Sequence, residues 1–443
     1  MQKIIIKILI FFSLLIFLSV SCTTMADKNF TAVDTAIRNN DYATASASLE
    51  SGKEYYYTKK ENVLLYLDQG LLKHFSGNFK ESNENFSLAE KEIERNFTKS
   101  ISQTIATGII NDTVQDYPGE TYEDLYTNIF MCLNYLHMKK FDDAFVEIKR
   151  FDNKMKLVGT EYESVLEVQK SKLEKNDFSS VDTEVKFHNS ALARYLSLLL
   201  YRADGDSSNA NVDYKKIQDA FLLQKEIYNF NIPECIKDDI EPPSNMARVN
   251  FITFTGFSPL KQEVEIRLPF RGAYYKQALP VMVKRESIIS AVQIVMTDTK
   301  NQKQYKASLK KLEPIDNIVC DTYKQHLGSI YCRSMLRSIG KSVGSGALST
   351  ASALSRQSQM KFLFGALSMV SQVATEATER ADVRICRYFP GTASIAGLTV
   401  PDGIYNIKIN YYNKGHKILY SQLLENYHAK KGQLNLLESV CQK

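Results

Sequence analysis

The chain has 443 residues, a formal charge of +5, no tryptophan, and 25 tyrosines and 23 phenylalanines to carry its bulky packing. A charge this small, with no long run of lysine or arginine, argues against nucleic acid as a partner. The length favours two or three domains over a single core.

Residues 1–21 read as a signal peptide. Lys3 and Lys7 precede the apolar run Ile8–Leu18, which falls short of the roughly 20 residues a spanning helix needs. Ser19, Val20 and Ser21 then lead into Cys22. This junction resembles the cleavage box of bacterial lipoproteins, with Ser19 where that box usually has leucine. The resemblance implies cleavage before Cys22 and acylation of its thiol, usually with a further acyl group on the new amino terminus. Two or more chains, at about 0.8 kcal/mol per buried CH₂, give a stable anchor. Residues 22–29 would then be a lipidated tether. Thr23, rather than aspartate, after the cysteine resembles the signal for the outer membrane, facing the periplasm. The alternative is an uncleaved signal anchor.

Residues 30–235 read as helical hairpins. "GNFKESNENFSLAE" begins at Gly77 and "GDSSNANVDYKKIQ" at Gly205. Each places a small residue five positions after the glycine, Ser82 or Ala210, and an aromatic four later, Phe86 or Tyr214. Stretches beginning at Asn40 and Lys140 lack the glycine but keep Tyr42 with Ala45, and Phe141 with Ala144. The pattern resembles the tetratricopeptide repeat, in which small residues let paired helices approach and aromatics fill the groove. Gly70 takes the small position of a first helix and Phe79 that of a turn aromatic. Four copies near 30–57, 62–95, 122–153 and 188–221 would stack into a short α-solenoid with a concave face for a partner protein. Generic hairpins without repeat ancestry are the alternative. The acidic stretch Asp116–Asp124 reads as a solvated loop.

The composition shifts at "EPPSN", 241–245. In "ARVNFITFTGF", Val249, Phe251 and Thr253 point one way and Asn250, Ile252 and Phe254 the other, as in a strand. "KQEVEIRLPF", "SIISAVQIVMTD" and "KQYKASLKKL" extend the sheet, and "TASIAGLTV", "GIYNIKINYY" and "KILYSQLL" return to it. The expected architecture is thus α+β. A β-sandwich-like domain, split into 246–313 and 386–443, surrounds a helical insert at 314–385. Within the insert, 338–377 is rich in glycine and alanine. It reads as a tight intramolecular hairpin, a face for self-association or a membrane-surface helix.

Chemistry is sparse. There is no HExxH, GxSxG, P-loop or dinucleotide-binding glycine pattern, and no Cys/His zinc spacing. The acids Asp112, Asp116 and Glu120 form the only candidate carboxylate set. No cofactor, metal or catalytic residue is expected, so the chain does not read as an enzyme. Cys386 with Cys441 is a candidate disulfide, against buried free thiols. Cys132 reads as a small core residue.

"ERADVRICRYFPGTASIAGLTVPDGIYNI" at 379–407, with "YPGETYEDL", "VEIKRFDNKM" and the ND at 111–112, resembles a poorly characterised family of bacterial lipoproteins. The likeness runs over nearly the whole mature chain. The family motif maps onto Ala381, Asp382, Arg384 and Pro390, with Cys386 at a tryptophan position and Phe389 at a leucine position. Asp382 and Arg384 are expected to cap or pair at a helix-to-strand junction. The resemblance implies action near lipoproteins that activate peptidoglycan synthases.

Two functions follow as expectations. One is a lipid-anchored envelope scaffold gripping partner proteins through its repeats, linked to cell-wall or outer-membrane assembly. The other is a peptidoglycan- or carbohydrate-handling module, with Tyr274, Tyr275, Tyr411 and Tyr412 as platform candidates.

Overall fold

The computed structural model describes residues 28–107, 115–158, 160, 167, 184–270, 273–330 and 381–443. The signal peptide, Cys22, Asp112 and the 338–377 segment lie outside the described residues.

The first half is helical. α1 (Thr31–Arg38) pairs with α2 (Tyr42–Ser51), and α3 (Asn62–Phe75) with α4 (Phe79–Thr107). α5 (Thr121–His137) pairs with α6 (Phe141–Met155), and α7 (Ala191–Ala203) with α8 (Ser207–Leu223). Successive hairpins pack on one another, α2 on α3, α4 on α5 and α6 on α7. A short α9 (Cys235–Ile240) closes the half.

All four hairpins turn in the same way. The turn residue is left-handed each time: Asn40 (φ 58°), Gly77 (84°), Lys139 (58°) and Gly205 (78°). The following N–H then bonds a carbonyl five residues back: Asp41 to Ala36 at 2.9 Å, and Asn78 to Lys73, Lys140 to Tyr135 and Asp206 to Tyr201, each at 2.8 Å. This is the hydrogen bond that closes a Schellman-type helix end. The small residues Ala45, Ser82, Ala144 and Ala210 that follow are all fully buried, as close helix pairing requires.

The second half is built of strands. β1 (Ala247–Thr255) lies between β10 (Asn435–Cys441), to which it runs parallel, and β7 (Thr392–Val400). β6 (Lys310–Glu313) completes that sheet. The second sheet has the order β5 (Gln304–Ser308), β4 (Ala291–Asp298), β8 (Gly403–Tyr412), β9 (Ile418–Ala429). β2 (Leu260–Phe270) and β3 (Ala273–Val283) form a separate two-stranded ribbon. The stretch "KQYKASLKKL" is split at Leu309, where the chain leaves the second sheet and enters the first. α10 (Ile315–Thr322) follows β6.

Three layers result. Ala247, Val249 and Phe251 of β1 share a core with β4 and β8 of the second sheet, whereas Ile252 and Phe254 join the core of the helices. β7 divides likewise, Ala393 and Ile395 against the helices and Ala396 and Val400 against the second sheet. The first sheet is therefore buried on both faces, and one hydrophobic cluster runs from Phe30 of the helical half to Ile395 of β7. The "EPPSN" boundary separates element types but not cores.

Candidate functional site

Five buried carboxylates mark the seam between helices and strands. Asp68 of α3 accepts from the Tyr57 hydroxyl at 2.7 Å, from Cys386 Sγ at 3.0 Å, and from the N–H groups of Arg387 and Tyr388 at 2.9 and 3.3 Å. Glu123 of α5 accepts from the N–H groups of Glu120 and Cys386 at 2.9 and 2.7 Å and from the Tyr117 hydroxyl at 2.9 Å. Glu313 of β6 accepts from Tyr126, Ser190, Tyr228 and the N–H of Leu192. Asp239 of α9 accepts from Tyr195, Arg248 and Asn250. Glu438 of β10 meets His74 Nε2 at 2.6 Å and His137 Nε2 at 2.9 Å. A buried charge survives only when paired and hydrogen-bonded, and each of these is held by groups from more than one element.

The segment 381–391 is the centre of this seam. It has no regular secondary structure, and its Ile385, Cys386, Tyr388 and Phe389 side chains are buried. It lies across the face made by α3 and α5, with Phe389 against Tyr122, Tyr126 and Phe130. The chain's own 381–391 segment therefore covers this face of the helical hairpins. α7 is likewise covered, from Ala191 to Leu200.

Asp382 and Arg384 do pair, in a fork of 2.9 and 2.8 Å, and Arg384 also donates to the Gln115 carbonyl at 2.9 Å and stacks on Tyr117. The Arg384 guanidinium overcomes the burial of Asp382 and holds its carboxyl down at about 2. Ala381 donates its N–H to Glu263 at 2.5 Å, and Pro390 is buried. The next residue, Gly391, needs to be a glycine, because a Cβ there would meet the Phe257 carbonyl at 2.7 Å. Beside the pair, Lys261 bonds Glu120, and His326 Nε2 lies 3.6 Å from the same carboxylate. Burial, and then Glu120, push the Glu123 carboxyl up to about 7. The acidic stretch is thus not a solvated loop: Asp116 pairs with Lys99, Asp124 with Lys154, and Glu120 and Glu123 are buried.

A pocket of about 380 Å³ lies between α4, α5 and α6. Its apolar walls include Ile93, Leu125, Leu157 and Val158, and Pro118–Thr121 form one edge. At its rim Lys154 bonds Glu90 at 2.7 Å and Asp124 at 2.6 Å, while Arg150 bonds Glu90 at 2.6 Å. Concave, apolar and edged by a few fixed charges, it has the make-up of a docking site.

The other residues marked from sequence fall as follows. Gly70 faces the Phe86 ring, where a Cβ would come within 2.7 Å, and Ser82 donates its hydroxyl to the Gly70 carbonyl at 2.7 Å. Phe79 is half-buried and stacks on His137 at 4.3 Å; Tyr214 is half-buried, and Phe141 is 38% exposed rather than packed in a groove. Tyr411 is buried between the two sheets, bonded to Ser439, which removes it from any glycan platform. Tyr412 is half-buried, and the side chains of Tyr274 and Tyr275 lie outside the described residues. Cys386 and Cys441 are free thiols in different cores, separated by the first sheet, so no disulfide joins them. Cys132 is a buried free thiol. Among the described residues no His, Cys, Asp or Glu group could hold a metal ion. Nor is any described helix long and apolar enough to cross a membrane.

The seam carboxylates were not singled out from sequence. Glu123 falls within the stretch Asp116–Asp124 that reads as solvated, and Asp68 left a trace as an acid within the apolar run "NVLLYLDQGLL", a helix without a polar face to put it on.

No protein-family model and no curated protein matches the chain.

Proposed function

We propose that this chain is a lipid-anchored scaffold of the bacterial cell envelope, held to the membrane through Cys22, most suitably at the periplasmic side of the outer membrane. It binds partner proteins through the outer surface of tetratricopeptide-like hairpins, in support of cell-wall or outer-membrane assembly. The observation that carries this reading is the pocket between α4, α5 and α6, whose apolar walls and paired rim charges suit a protein segment. The common turn of the four hairpins supports the repeat reading, and the two facing four-stranded sheets support a sandwich-like β half. The cover that the 381–391 segment gives to α3 and α5 supports partner binding on the pocket side. The resemblance to envelope lipoproteins agrees with this.

The test is a photo-crosslinking residue in place of Glu94, an exposed pocket residue, in cells making the full chain. A discrete adduct is expected from Glu94, and its loss in Leu157→Asp, a pocket-wall change whose half-exposed position should leave the fold intact. An adduct unchanged by Leu157→Asp, or no adduct, contradicts the reading.

A further inference from the structure

The charges that line the pocket between α4, α5 and α6 do not balance. Glu90, Glu94, Glu120 and Asp124 line it against Arg150 and Lys154. Each of the two bases is shared between acids. Lys154 bonds Glu90 at 2.7 Å and Asp124 at 2.6 Å. Arg150 bonds Glu90 at 2.6 Å and Glu147, which is not part of the lining, at 3.1 Å. Lys261 bonds Glu120 from outside the pocket. With these two neighbours included and histidine neutral, five carboxylates meet three bases and leave a net charge of −2. Burial pushes the Asp124 and Glu147 carboxyls up, and Glu90 adds to both shifts. Against burial, Glu90 and then Glu147 raise Arg150. Both effects are those of crowded negative charge.

Two of the five carboxylates have room for a further donor. Glu94 is exposed, on the α4 face that also brings Glu90, Ile93 and Phe97 to the pocket. No base among the described residues pairs with it, and Lys91, one turn earlier on α4, does not line the pocket. Glu120 is buried, its Oε2 accepts no hydrogen bond, and His326 Nε2 stands 3.6 Å from it.

We propose that the pocket takes a lysine or arginine side chain, carried beside apolar residues on a segment of a partner protein. This occupant rests on the pocket being a docking site. A cationic side chain with a long apolar stem suits both parts of the lining. The stem lies along walls such as Ile93, Leu125 and Leu157, and the charged head meets the carboxylates. Apolar neighbours of that residue cover the rest of the walls, which a small free polyamine leaves bare. An acidic segment meets like charge instead, which costs affinity.

The test puts an apolar photo-crosslinking residue, p-benzoylphenylalanine, in place of Leu157 in the full chain, which leaves Glu94 intact. Crosslinking is carried out in isolated envelopes at low and at high salt. The adduct is expected on a peptide with lysine or arginine within about four residues of the captured position. Its yield should fall about tenfold in Glu94→Lys, and fall with salt, because a rim charge acts through screened attraction. Glu94→Asp keeps the charge and should keep the adduct. A neutral crosslinker at Glu94 itself costs about threefold, which covalent capture tolerates. Glu94 is exposed, so an unchanged thermal midpoint should accompany its variants. An adduct as strong in Glu94→Lys, or joined to a peptide without a basic residue, overturns the cationic occupant and leaves the docking site standing. No adduct from either Leu157 or Glu94 removes the docking site and this occupant together.

Discussion

Lys139 holds φ at 58° in a turn where two of its counterparts are glycine. A side chain in the left-handed region costs roughly 1–2 kcal/mol, which glycine avoids at some expense in chain entropy. Nothing lies within 4 Å of a Cβ built on Gly77 or Gly205, so alanine there meets only the backbone cost. Gly77→Ala and Gly205→Ala should each destabilise by about 1 kcal/mol, and Lys139→Gly should stabilise by about 0.5 kcal/mol. Chemical denaturation of the three variants reads this. Equal losses at all three sites would show that the turns are not equivalent. The glycine copies were legible in the sequence. The other two were visible only through the aromatic and small residues that follow, because asparagine and lysine give little or no sign of a left-handed backbone.

At the scale of elements, β10 shows how strand and helix are joined. Leu436, Glu438 and Val440 face the helices, while Leu437 and Cys441 face the second sheet. Glu438 enters a polar network: His74 also meets Asn134 Oδ1 at 2.6 Å, and Asn134 donates to Ser82 and Asn83. Burial alone would raise the Glu438 carboxyl, but His74 and His137 outweigh it and hold it at about 2. A carboxyl lowered in the folded state stabilises above its unfolded value, about 4.3, and that contribution is lost as pH falls toward 2. Glu438→Gln should therefore cost about 3–5 kcal/mol at pH 7, and the two stability curves should converge between pH 4.5 and 2. Urea midpoints across that range check it, and parallel curves would remove Glu438 from the account of acid stability. The alternation of β1 was readable because both of its faces are apolar. The network was not, since Glu438 in "NLLESVC" looks like any outward acid on a strand and its partners lie hundreds of residues away in sequence.

The whole molecule is a helical layer, a fully covered sheet and a second sheet. The α+β class, the helical first half and the strand-rich second half were legible from periodicity. Their union was not. A strand buried on both faces and a helix without a polar side look alike whether the cover comes from the same domain or another. The extended segment around Phe389 carries no periodic signal at all. With Asp68, Glu123, Glu313, Asp239 and Glu438 bonded across the seam, the core between the two sheets belongs to the strands alone, while the helices share theirs with the first sheet. The proposed scaffold role depends on this, because helices that already hold the chain's own strands leave the α4–α5–α6 pocket as the face offered to a partner.

Native-state hydrogen exchange tests this union most directly. Amides of α5 and α7 should share one opening free energy with those of β1 and β7, and Asp68→Asn should lower all four together. Helices that open at a lower free energy than the strands, with the strands unmoved by Asp68→Asn, would contradict it and return the α3–α5 face of the hairpins to an outside partner.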